Sequence, residues 1–254
     1  MTRRSTDQDT LFIGCAGWSL ASAQAPRFRG QGSHLERYAQ HFQAVEINSS
    51  FYRPHRATTW RRWADSVPAE FRFAVKMPRA ISHEARLLQA EPMLQDFIDQ
   101  VSELGPKLGC LLLQLPPSLA YQAEVVLPFF DLLACMYSGP VACEPRHLSW
   151  FQPAVSRALR AHGVARVAAD PARIPRAAVP AGDHRLQYFR LHGAPRIYCD
   201  AYNGPALQGI ARRLLRSQPA GAQRWCIFDN TAQGHALENA LDLIACLDDP
   251  AGAG

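Results

Sequence analysis

Residues 141–150 read VACEPRHLSW, a short apolar run that passes directly into a carboxylate (Glu144), a guanidinium (Arg146), an imidazole (His147) and an indole (Trp150). An apolar run cut off by mixed charge reads as a buried strand that delivers its last side chains to a rim. The same device recurs along the chain. Apolar or alternating runs appear at 11–17 (LFIGCAG), 44–48 (AVEIN), 71–76 (FRFAVK), 109–114 (GCLLLQ), 141–144 (VACE), 164–170, 185–192 (RLQYFRLH) and 223–229. Helical spacing separates them at 34–42, 58–65, 92–104, 123–135, 152–162, 205–217 and 236–247.

Strands that alternate with helices run parallel, joined by right-handed crossovers. Eight such units in 254 residues predict a single (β/α)8 TIM barrel, with an open doubly wound sheet as the competing architecture. No linker or shift of composition divides the chain, so one domain is expected over 1–254, with tails at 1–10 and 250–254. The segment 171–184 holds Pro171, Pro175 and Pro180 and cannot form a regular helix, so the barrel is expected to be irregular between its sixth and seventh strands.

Strand side chains alternate between two faces. In 44–48, Val45 and Ile47 oppose Ala44, Glu46 and Asn48; in 71–76, Phe71, Phe73 and Val75 oppose Arg72, Ala74 and Lys76. With the bulky set against the helices, the interior parity carries Glu46, Asn48, Lys76, Gln114, Glu144, Asp170, Arg190 and His192, and Asn230 or its neighbour Asp229 closes the last strand. Any one of these is explained by a strand-end salt bridge, such as Glu46 with Arg190 or Glu144 with Lys76. Seven consecutive strands ending in a polar residue argue instead for a pocket at the face where this architecture places its active sites.

Roles follow from residue type. Lys76, Arg146 and Arg190 are expected to hold an anion, Glu46 or Glu144 to act as base and His192 as acid, with Asp170 a further rim carboxylate. Lys76 is one of only two lysines in the chain and also has the chemistry of a Schiff-base nucleophile, although the anion clamp is the preferred reading. Asn48, Gln114, His147 and Asn230 are expected to line the mouth, and His83 to reach it from the loop after the third strand. Trp18, Tyr52 and Trp150 follow strand ends and are placed either to stack a ring or to pack the rim loops. Trp60, Trp63 and Trp225 read as core. Glu46, Glu144, His147, Asp170, His192 and Asp229 offer enough donors for a divalent metal, but fixed cations compete for the same carboxylates and no HxH or HExxH spacing occurs. A metal is therefore not favoured, and no cofactor is assigned. GxGxxG, P-loop and GxSxG motifs are absent, which leaves dinucleotide, P-loop NTPase and α/β-hydrolase readings unsupported.

Composition sets the remaining bounds. The formal charge of +5 permits an anionic partner without demanding one. The seven cysteines include no CxxC pair, and most lie in apolar runs, as small core residues of a reducing compartment do. No apolar run of about 18 residues is present, and MTRRSTDQDT has no apolar segment behind its arginines, so a cytoplasmic protein without membrane contact is expected.

IGCAGWS (13–19), FQAVEINSSFYR (42–53), FRFAVKMPRAISH (71–83), LGCLLLQLPPS (108–118), VACEPRHLSW (141–150), Asp170, YFRLHG (188–193) and IFDNTAQGHALENA (227–240) together resemble the YecE-like family, also called domain of unknown function 72. These stretches span nearly the whole chain in order. The resemblance implies a TIM barrel with polar residues at its strand ends and implies no particular reaction. The chain departs from the family pattern at Asp229–Asn230, where two asparagines are usual, at Ser50, and in the loop APRFRG (25–30). The mixed cation–carboxylate rim, and not the resemblance, gives the functional expectation: an enzyme, hydrolase- or isomerase-like, acting on an anionic substrate that is phosphorylated or a phosphodiester. The alternative is a non-catalytic protein that binds a small anion or nucleic acid through the arginines of 53–62 and 72–79, with salt-sensitive affinity.

Overall fold

Tyr38 shows how the barrel is drawn shut. Its buried hydroxyl accepts the Cys15 N–H at 2.8 Å and donates to the Ala44 carbonyl at 2.9 Å, so one phenol stitches two neighbouring strands. In the computed structural model, which describes residues 10–21, 24, 26–216 and 221–248, these strands are β1 (Thr10–Cys15) and β2 (Ala44–Ile47). They share a single parallel bridge, Ala16 to Glu46. Gly14 permits the approach, because a Cβ there would stand 2.0 Å from the Ala44 carbonyl oxygen.

From β2 the sheet continues in parallel through β3 (Arg72–Lys76), β4 (Leu108–Gln114), β5 (Val141–Glu144) and β6 (Val164–Arg166). The predicted sixth strand is divided at Val167. Its first half, β6, pairs with β5. Its second half, β7 (Ala168–Asp170), pairs with β9 (Leu186–Leu191), and the Val167 N–H still reaches the Cys143 carbonyl at 2.9 Å. β9 pairs with β10 (Gln223–Phe228), and β10 returns to β1. The pairings therefore run around all eight predicted strand positions, the arrangement of a TIM barrel. The proline-rich segment forms a 3₁₀ turn, Pro175–Ala178, and a two-residue strand β8 (Ala181–Gly182) antiparallel to β6, in the place of a helix. The buried Arg166 pins this irregular stretch, donating to Ser156 Oγ at 3.0 Å and to the Arg176 carbonyl at 2.9 Å.

The helices are α1 (His34–Tyr38), α2 (Ala57–Asp65), α3 (Glu91–Val101), α4 (Ala123–Met136), α5 (Pro153–Ala161), α6 (Gly204–Leu214) and α7 (His235–Asp248). α1 is shorter than its apolar spacing suggests but has a full capping box, with Ser33 and Glu36 each bonded to the other's backbone. Thr10 already belongs to β1; the rest of the expected tails, 1–9 and 250–254, lies outside the described residues.

Alternation divides the core in two. Val45, Ile47, Phe73, Val75, Leu111, Leu113, Phe189 and Phe228 pack against the helices, while Ala44, Ala74, Cys110, Leu112, Ala142, Ala165, Tyr188, Trp225 and Ile227 fill the barrel. The inner filling is lopsided. Tyr188 stacks on Trp225 at 6.0 Å and Phe12 lies 4.7 Å from the same indole, opposed by alanines from the other strands. Gly109 leaves room for that indole, since a Cβ would stand 2.6 Å from it. Cys15, Cys110, Cys143 and Cys226 are buried thiols, as their apolar settings suggest. Among the described residues no helix is long and apolar enough to cross a membrane.

Candidate active site

Above this filling, the next inward positions are charged. Arg190, wholly buried, leaves β9 on the parity of Tyr188. Its Nε and Nη2 donate to the two Glu46 oxygens at 3.0 and 2.6 Å, and its Nη1 donates to Glu144 Oε2 at 2.9 Å. Nη2 also lies 3.2 Å from Asp229 Oδ2, and the Tyr188 hydroxyl donates to Glu46 Oε2 at 2.8 Å. His192, two residues on, faces Asp229 Oδ2 with Nδ1 at 2.9 Å and Glu144 Oε1 with Nε2 at 2.8 Å.

An imidazole with a carboxylate on each nitrogen satisfies both only when doubly protonated. Burial alone would push the His192 pKa down; the Glu144 charge and the hydrogen bonds to Asp229 and Glu144 outweigh it, and the net shift is upward. Burial likewise tends to raise Glu144, yet the charges of Arg190, His192 and Arg146 hold its carboxyl well below the usual range. Asp229 is also lowered, burial being overcome by Arg190 and His192. Arg146 completes the set, its Nη2 3.0 Å from Glu144 Oε1. Glu46, Glu144 and Asp229 thus balance Arg190, protonated His192 and Arg146 in a closed, neutral floor.

Lys76 stands outside that balance. It ends β3, is 5% exposed, and holds its Nζ 4.0 Å from the centroid of the Phe51 ring. No ion pair reaches its Nζ from the described residues. Burial first, and the Arg190 charge second, lower its pKa to about 8 against the opposing pull of Glu46, Asp229 and Glu144. Lys76 opens onto a cavity of about 530 Å³ with Asn48, Tyr52, Arg79, His83, Gln114, Arg146, Tyr198 and Asp229 in its wall. His83 arrives on a π-helical turn, Ala80–Glu84, an irregularity often found at functional sites. Its Nδ1 is 2.9 Å from Ser82 Oγ. Burial, then the charges of Lys76, Arg79 and Arg146, lower its pKa and favour the neutral ring. A second cavity of about 550 Å³ adjoins the first through Asn48 and Thr231; Trp18, Gly17, Ser19 and His34 line it, and among the described residues its wall carries no Lys, Arg, Asp or Glu.

The family described as "Protein of unknown function DUF72" matches residues 12–253. The chain belongs to the DUF72 family. It is 32% identical over 167 residues to the UPF0759 protein YecE of Escherichia coli strain K12, an alignment that covers 63% of this chain and 59% of that protein. It is 25% identical over 267 residues to the UPF0759 protein YunF of Bacillus subtilis, covering 94% and 95% of the two chains. Crystal structures of DUF72 family proteins from Enterococcus faecalis (24% identity, TM-score 0.79, 94% of this chain and 96% of that one) and Thermotoga maritima (20% identity, TM-score 0.76, 94% and 99%) share the fold.

Within this DUF72 chain the residues singled out by sequence take three kinds of place. Asn48, Tyr52, Lys76, His83, Gln114 and Arg146 line the first cavity, and Trp18 the second. Glu46, Glu144, Arg190 and His192 form the floor, with every nitrogen of His192 and both oxygens of Glu46 engaged. Four others stand elsewhere. Asp170 faces outward, because Ala165 and Val167 take the interior parity; it accepts the Tyr202 hydroxyl at 3.1 Å and lies 3.7 Å from Arg213 of α6. Trp150 is fully buried in a 3₁₀ turn, Leu148–Phe151, with its indole N–H donated to the Leu119 carbonyl at 2.9 Å, so it is core and not a stacking platform. His147 caps that turn, its Nδ1 accepting the Ser149 N–H at 3.2 Å. Asn230 lies beneath the mouth, bonded to the Asp200 carbonyl and to Asn239, and leaves Asp229 on the inward parity of Trp225 and Ile227.

Arg79, Tyr198 and Thr231 are cavity residues that strand parity could not find, since all three come from loops. Among the described residues no group of His, Cys, Asp and Glu side chains is arranged to hold a metal ion; Arg190 and His192 occupy the space between the three floor carboxylates. Of the arginines in 53–62 and 72–79, Arg61 forms a bidentate pair with Glu103 and Arg79 pairs with Glu84 at 3.1 Å.

Proposed function

We propose that the cavity is the active site of an enzyme acting on a small anionic, phosphorylated substrate. One observation carries this reading: the floor is charge-balanced, and Lys76 is a surplus buried cation at the cavity wall with no carboxylate in an ion pair with it among the described residues. A buried charge without a counter-ion is costly, and a bound anion relieves that cost. Arg146 gives Nη2 to Glu144 and stands in the cavity wall, where its guanidinium can face an oxyanion. Arg79 stands in the same wall, its guanidinium shared with Glu84.

The floor then serves to fix Arg146 and to hold the field constant, while proton transfer falls to His83, whose neutral ring has Nδ1 engaged by Ser82 and Nε2 left for a substrate. The adjoining uncharged cavity suits the neutral remainder of the substrate, with the Trp18 face as a packing surface. Calorimetric titration with inorganic phosphate and a panel of sugar phosphates tests this. Binding to the wild type that weakens at least about tenfold, or about 1.4 kcal/mol, in Arg146→Gln is expected. Equal binding by Arg146→Gln, or no binding by the wild type, would remove the reading.

A further inference from the structure

We propose that Lys76 is a covalent catalyst: its amine forms an imine with the carbonyl carbon of an anionic aldehyde or ketone, held by Arg146 and Arg79 through its phosphate or carboxylate. The inference rests on the anion-binding reading above and assigns Lys76 a reaction within it.

Three structural facts lead there. First, the three floor carboxylates are already matched by Arg190, His192 and Arg146, so none is left to pin Lys76 as an ammonium ion. Second, the side-chain contact made by its Nζ among the described residues is the Phe51 face, a cation–π interaction too weak to hold a buried charge against desolvation. Lys76 is thus a cation whose proton is loosely held, in keeping with its lowered pKa, and the neutral amine left when that proton departs is the nucleophilic form. Third, Nζ opens onto a cavity whose other cations, Arg79 and Arg146, cannot act as nucleophiles but can fix an anionic group.

The chemistry balances without any further reagent. The Lys76 nitrogen lone pair forms an N–C bond as the carbonyl π pair moves to oxygen. That oxygen takes a proton, the nitrogen loses one, and a carbinolamine results. The C–O bond then breaks, water leaves with a second proton, and the nitrogen lone pair closes the C=N bond. The neutral His83 ring lies in the same cavity to carry these protons. The protonated imine withdraws electrons from the adjacent carbon and stabilises the enamine that forms when that carbon loses a proton, as in isomerisation, or when its bond to the next carbon breaks as the hydroxyl there loses its proton to become a carbonyl, as in carbon–carbon cleavage. Hydrolysis returns the amine.

The chain contains its own control. Its other lysine, Lys107, donates its ammonium to the Ala64 and Val67 carbonyls at 2.5 and 2.6 Å. Full-length protein is incubated at neutral pH with glyceraldehyde 3-phosphate and, separately, with uncharged glyceraldehyde; each is treated with borohydride and mapped by peptide mass spectrometry. Phosphate binding is measured on the same protein by calorimetry. Reduced adduct at Lys76 is expected at least about tenfold faster than at Lys107, because two carbonyls hold the Lys107 amine whereas that of Lys76 faces the cavity, and faster with the phosphorylated aldehyde. Inorganic phosphate should suppress it, and Lys76→Arg should abolish it while retaining the fold by circular dichroism. Phosphate binding with no preference for Lys76 over Lys107 would overturn the imine proposal alone. Equal labelling by both aldehydes would overturn the anionic substrate class. Absence of phosphate binding would overturn the underlying anion site.

Discussion

Arg190 Nη2 lies 2.6 Å from Glu46 Oε1, and neither side chain touches solvent. Taking two charges out of water costs several kcal/mol per ion, recovered here only because the contact is a two-pronged fork and the remaining donors reach Glu144 and Asp229. Arg190→Met removes one partner from three buried carboxylates at once. It should destabilise the protein by about 3–5 kcal/mol, read as a lower urea midpoint; a change below about 1 kcal/mol would show the network to be energetically idle.

His192 sets an alkaline limit. Its folded pKa is raised above the ordinary 6.5, so its contribution is fully present below that value and is lost as pH climbs through the folded pKa. Glu144 and Asp229 act in the opposite sense, their contribution being lost as pH falls through their lowered folded values. Melting temperature against pH should therefore show His192→Gln most deficient just below pH 6.5, with the gap to wild type closing as pH rises through the folded pKa. A gap independent of pH would mean that His192 is neutral in the fold.

Lys76 works the other way. Its pKa falls from 10.5 to about 8, so the folded protein carries the cost of its charge below about 8 and is relieved of it as pH rises toward 10.5. Lys76→Met should thus raise stability at neutral pH and lose that advantage above 10.5. Chemical denaturation of both proteins at the two conditions checks it, and an equal gain at both would contradict an unpaired ammonium.

Trp150 separates packing from recognition. Its indole is buried and bonded to Leu119, so Trp150→Ala should cost about 3–5 kcal/mol of stability. Phosphate affinity of the remaining folded protein should change by less than about twofold, under 0.5 kcal/mol. Loss of affinity at unchanged stability would restore Trp150 to the binding surface.

Much of the barrel is legible because a strand has a period of two. Glu46, Lys76, Glu144 and Arg190 sit where alternation with Val45, Val75, Cys143 and Phe189 puts them. The same rule misplaces Asp170, because the strand passes from β5 to β9 at Val167 and the inward parity falls on Val167. It leaves Asp229 and Asn230 undecided until Trp225 is seen to point inward. Loops carry no such period. Nothing local says that the turn holding Trp150 folds into the core, or that Tyr198, with a φ of 69°, reaches the cavity from the segment after β9. Charge type was readable at each position, whereas the pairing that leaves Lys76 unmatched depends on distances between five strands.

A crystal structure of the protein grown with inorganic phosphate tests the account most directly. It predicts tetrahedral density in the cavity between the Lys76 amine and the Arg146 guanidinium, within about 3 Å of both, above an unaltered floor of Arg190, His192 and their three carboxylates. A cavity holding only water at saturating phosphate, or Lys76 turned down into contact with Glu144 or Asp229, would contradict it.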